Sequence, residues 1–93
     1  MNSANFEAIK TVRYCLRVID NKLGYGFRQK SYSRWAGREL LLLLEKNTDK
    51  PPLILIEEFR DKMDDLSCIS KNGYIFSCAK DMAEFVIDLL INI

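Results

Sequence analysis

The chain contains no histidine. That absence removes imidazole acid-base catalysis, the Cys-His and Ser-His-Asp arrangements and histidine metal ligation together. Its two prolines are adjacent, Pro51-Pro52, and glycine occurs only four times, so there are few positions at which a helix is forced to stop. No uncharged apolar run approaches the ~20 residues needed to cross a bilayer. Met1-Asn2-Ser3-Ala4-Asn5-Phe6-Glu7 lacks the basic and apolar regions of a secretory signal, so a cytoplasmic protein without membrane attachment is expected. Cys15, Cys68 and Cys78 are odd in number and lack zinc or redox spacing. The expectation is three reduced core thiols, with a Cys68 to Cys78 disulfide as the lesser alternative. No residue pattern points to a catalytic, metal or cofactor site, and none is assigned.

What is present describes a folded domain. With 93 residues, 48% hydrophobic and 29% charged, the chain has the composition of one globular domain, 1–93, built on a single core. Ile9, Val12, Leu16, Ile19 and Leu23 recur at intervals of 3, 4, 3 and 4, which predicts a helix over 5–23. Ser3 or Asn5 is its expected cap, and Gly24 its left-handed terminus. A loop to Ser31 follows, then a helix over 32–47 that holds Leu40 to Leu44. Pro51-Pro52 separates that helix from a third over 52–69, whose Ile56, Phe59, Met63 and Leu66 form the inward stripe. A short connection makes helices two and three antiparallel neighbours. A fourth helix over 75–92, capped by Ser77 or Asn72, carries Ile75, Ala79, Met82, Val86, Leu89 and Ile93 at intervals of 4, 3, 4, 3 and 4. The apolar end Leu90-Ile91-Asn92-Ile93 is expected to pack against the body. The fold class is all-α, a single antiparallel four-helix bundle.

Charge divides the chain. Residues 1–38 hold eight Lys or Arg against Glu7 and Asp20, a net of +6, while residues 39–93 hold six against eleven acids, a net of −5. The bland expectation is that the two halves lie against one another in the fold; the functional one is two patches that steer partners. Lys22, Arg28, Lys30, Arg34 and Arg38 alternate with Tyr25, Phe27, Tyr32 and Trp35, the residue types that hold phosphates and stack on bases. Folding back over the end of the core is the competing role for that stretch. On the third helix Glu57, Asp61 and Asp65 share one face, suited to a basic partner or simply to solvent, while Glu58 and Lys62 suit an i, i+4 pair.

The five consecutive leucines pose the sharpest question, because at 100° per residue they surround their helix. Leu42 or Leu43 is left over on the outer face. The aromatic loop 25–32, the C-terminal tail or a second copy of the helix could cover it. The second copy is favoured, with Leu42, Leu43 and Trp35 as the candidate interface. The leading expectation is therefore a small intracellular nonenzymatic interaction module, a homodimer or the partner of another protein. A nucleic-acid-binding accessory protein using 22–38 ranks second. An inhibitor or immunity-type protein with its acidic ridge on a basic target ranks third.

Overall fold

A computed structural model of the protein describes residues 3–92, with side chains from residue 5 onward. Its elements are α1 (Ser3–Asp20), α2 (Phe27–Lys46), α3 (Pro52–Ile69) and α4 (Gly73–Ile91). At 1.5 Å per residue, helices of 18 to 20 residues run about 27 to 30 Å. The molecule measures 36 × 30 × 22 Å, so the helices lie side by side as a four-helix bundle.

The most apolar helix, α4, packs against each of the other three. It buries Cys78, Ala79, Met82, Ala83, Val86 and Ile87, and the small Ala79 and Ala83, one turn apart, let neighbouring helices approach closely. Facing them are Val12, Cys15 and Ile19 of α1, Leu40 and Leu44 of α2, and Leu55, Ile56 and Met63 of α3, in one contiguous core. Gly37 of α2 meets Leu16 of α1 so closely that a Cβ would lie 2.5 Å from Leu16 Cδ2. Gly73 opens α4 against the Ser67 carbonyl, where a Cβ would collide with the oxygen.

Helix ends follow a rule that hydrophobic spacing does not reveal. Asn21, Asn47 and Asn92 stand immediately past α1, α2 and α4, and each side-chain amide donates to the carbonyl four residues back, at 2.9, 2.9 and 2.7 Å. Each carbonyl also accepts the backbone N–H of the same asparagine, at 3.3, 3.2 and 3.2 Å, so the side chain adds a second bond where helical donors run out. The Asn21 cap ends α1 three residues before the expected Leu23, which is 95% exposed instead of completing the stripe. Gly24 does adopt positive φ, at 89°, but within the following turn. The loop expected to last to Ser31 is shorter, because α2 begins at Phe27. Ser31, the expected end of that loop, and the buried Ser33 both lie inside the helix. Likewise α4 begins at Gly73, which leaves Ser77 inside it and Asn72 at the N-cap position without a side-chain capping bond. The α3 boundaries match expectation, Pro52 occupying its first turn.

Asn5 is the largest departure at the N-terminal end. It lies within α1, fully buried, and donates Nδ2 to the Leu44 carbonyl at 3.2 Å and the Asn47 carbonyl at 3.4 Å. Thus its amide closes the far end of α2, while the Ser3 side chain lies outside the described ones. At the other terminus Leu90 packs on the core as expected, but Ile91 is 62% exposed; Ile93 lies outside the described residues. Cys15 and Cys78 are buried and free, as expected of core thiols, but Cys68 is free and exposed, because the α3 stripe through Met63 and Leu66 turns away from it.

Three measurements check this packing. Asn5→Ala should cost about 1 to 3 kcal/mol in urea denaturation, the penalty for stripping buried carbonyls of their donor, whereas a loss below about 0.5 kcal/mol would remove the clasp from the energetics. Burial pushes the Cys15 thiol up to about 12 and raises Cys78 as well. In the unfolded chain a thiol ionises near 8.5. The Cys15 contribution is therefore complete below that value and is lost as pH climbs toward 12. Stability should decline over that interval with a slope that Cys15→Ala reduces. In the native protein at pH 8, a disulfide-exchange reagent should label Cys68 at once and Cys15 only on unfolding.

Candidate protein-docking groove

The five leucines resolve by rotation around α2. Leu40 and Leu44, one turn apart, are fully buried; Leu41 and Leu43 are partly buried; Leu42 remains 47% exposed. The outer face of α2 is thus centred on Leu42, with Trp35 two turns away on the same line. Because α2 and α3 each settle on α4, they meet only sparsely along their lengths. A groove of about 480 Å³ opens between them. Trp35, Leu42 and Leu43 form one wall, Phe59, Met63 and Leu66 the other, and Phe76 of α4 also lines it. Trp35 and Phe76 meet edge to face at 6.4 Å between ring centroids, which holds the indole against the base of the groove. Glu39, Lys46 and Lys62 supply charge among the lining residues. An apolar trough between two helices with charged residues along it is the shape that receives an amphipathic helix.

All three residues nominated for an interface, Trp35, Leu42 and Leu43, come together here. The opposite wall was missed, since Phe59, Met63 and Leu66 read as core. Their signal was the short Asn47 to Pro51 connection, which places α3 beside α2 but does not reveal how sparsely they touch. The covers considered for Leu42 from within the chain are also accounted for. Phe27 to Tyr32 is helical, with Tyr32 packed on Tyr74 at 5.8 Å. The end of α4, through Leu89 and Asn92, lies beside Glu7 to Arg17 of α1.

The basic stretch does not assemble as one surface. Lys30 Nζ donates to the Asp20 carbonyl at 3.0 Å and Arg34 pairs with the Asp20 carboxylate at 3.1 Å, so both secure the α1 to α2 junction. Lys22 sits over the Tyr25 ring at 5.1 Å. Arg28 is exposed on the Tyr74 side and Arg38 on the outer face of α2. Of the aromatic residues, Tyr32 and Trp35 are committed to α4, and Phe27 alone is 85% exposed. A cationic stripe does lie elsewhere, on α1: Lys10, Arg13 and Arg17 are exposed at i, i+3 and i+7, with Phe6 and Tyr14 about half exposed beside them.

Glu57, Asp61 and Asp65 share the outer face of α3, with Asp61 held by the adjacent Arg60 at 3.1 Å. Glu58 pairs with Lys50 at 3.3 Å rather than with Lys62, because the residues before α3 bring the Lys50 ammonium within reach. Among the described residues no group of three cysteine or acidic side chains is placed to hold a metal ion, and no helix is long and apolar enough to cross a membrane. Among the described residues each ion pair joins residues of the same half of the chain: Lys10 to Glu7 and Arg34 to Asp20 in 1–38, the remainder in 39–93. The halves nevertheless meet in part as expected, because Lys22 lines one recess with Asp81, Glu84 and Asp88 of α4. Compared with protein-family models, curated proteins and solved structures, the chain matches none.

Proposed function

We propose that this protein is a nonenzymatic helical interaction module of the cytoplasm that self-associates, or docks another helix, through the outer face of α2 and the groove beside it. The observation that carries the proposal is Leu42, 47% exposed at the centre of a face that no other described segment of the chain covers. Completing the burial of a half-exposed leucine is worth about 0.7 to 1.5 kcal/mol. Leu42 with its groove neighbours, contributed by both partners, therefore supports a weak, concentration-dependent association and not an obligate dimer. The free thiols at Cys15, Cys68 and Cys78 suit a reducing compartment.

Light scattering from about 10 to 500 μM should show a concentration-dependent dimer. Leu42→Lys should return the monomer with thermal stability nearly unchanged, since that side chain already meets water. Leu43→Lys should also cost stability, because Leu43 packs partly on the core. A wild-type chain that stays monomeric throughout removes the self-association reading.

The α1 stripe favours a second reading, in which Lys10, Arg13 and Arg17, with Phe6 and Tyr14, hold a single-stranded nucleic acid. Backbone contacts through three cations predict binding that falls steeply with salt. A fluorescent single-stranded oligonucleotide at about 50 mM salt should be bound by the wild type and released by Arg13→Glu with Arg17→Glu, and absence of binding there eliminates the reading.

A further inference from the structure

The charges flanking Leu42 specify how a second copy would lie on α2. At 100° per residue, Trp35 and Leu42 mark the midline of the outer face. Arg38 and Glu45 fall together on one flank, and Glu39 and Lys46 together on the other. Arg38, Glu45 and Lys46 are exposed, and Glu39 is half-buried at the groove. None of the four joins an ion pair among the described residues. Their own helix cannot satisfy them across a flank, since seven residues separate opposite signs by about 10.5 Å. Each flank thus carries one cation and one anion, unpaired, beside an apolar midline.

We infer that the partner for this face is a second copy of the chain, with α2 running antiparallel to α2 about a two-fold axis near Leu42; this rests on the self-association reading above. A two-fold axis of that kind turns each flank against its own reverse. Arg38 then meets Glu45 of the second copy, and Glu39 meets its Lys46. Both pairings occur twice, and the members of each pair differ in height by one residue, about 1.5 Å. Four opposite-charge pairs enclose Leu42 and Trp35, while the second α2 lies over the outer face and closes the edge of the groove that Glu39 and Lys46 line. A parallel arrangement uses the same charges differently, bringing Arg38 to Glu39 and Glu45 to Lys46.

Charge exchange separates these geometries. In the antiparallel dimer, Glu39→Lys alone sets two lysines against Lys46, and Lys46→Glu alone sets two glutamates against Glu39. Each single variant should self-associate about tenfold more weakly by light scattering. An equimolar mixture of the two should recover an affinity near that of the wild type, and so should the double variant Glu39→Lys with Lys46→Glu. All of these effects should fade at high salt, and circular dichroism should show each variant folded, as the positions lie outside the core. A parallel dimer predicts the reverse for the double variant, the weakest of the set, and that result would overturn the antiparallel register. Single variants that associate as the wild type does would overturn it too. A wild-type chain without a dimer would instead overturn the self-association reading on which it rests.

Discussion

The bundle depends on α4 as the wall its neighbours share. Its Ala79 and Ala83 admit close approach, and its Met82, Val86 and Ile87 fill the space between the other helices. Once α2 and α3 each commit an apolar stripe to that wall, their mutual contact becomes secondary. The gap between them is a consequence of the central helix and requires no special device. Asn5 reinforces the same arrangement from the opposite side, because its amide ties the beginning of α1 to the last carbonyls of α2. Helix α2 is therefore fixed along its inner face and at its far end, while its outer face stays turned to solvent.

Periodicity made the helices legible because each inner stripe repeats with almost no interruption, as in Ile9, Val12, Leu16 and Ile19. The ends were less legible for a physical reason. Leu23 continues the spacing of α1 perfectly well, yet Asn21 offers its amide to the Arg17 carbonyl and the chain turns first. At the other side of that turn, Phe27 to Lys30 lacks both a capping side chain and an apolar stripe, so nothing local announces the first turn of α2. Lys30 and Arg34 secure that turn through Asp20, an ion-pair and carbonyl contact that only tertiary structure creates.

The candidate site was half legible. Five adjacent leucines guarantee that one must face outward, and that argument narrows the choice to Leu42 or Leu43; the 47% exposure of Leu42 decides between them. It says nothing about the facing wall. Phe59, Met63 and Leu66 have the same 3.6-residue signature whether they meet a closely packed neighbour or an open trough. The interleaved cations and aromatics of 22–38 show the converse. Proximity in sequence suggested a common surface, but a helix distributes adjacent residues around its circumference, and several of these side chains already have partners within the bundle.

Trp35 is the single tryptophan of the chain, and its place in the groove gives the molecule an internal optical probe. The indole leans on Phe76 and lines the trough beside Leu42, so its emission colour reports the wetness of that trough in particular. Displacing water there shifts the emission toward shorter wavelength while the helical signal stays constant. Occupancy of the groove can thus be followed without a label and read separately from folding, because the one fluorophore of its kind lies at the boundary between core and solvent.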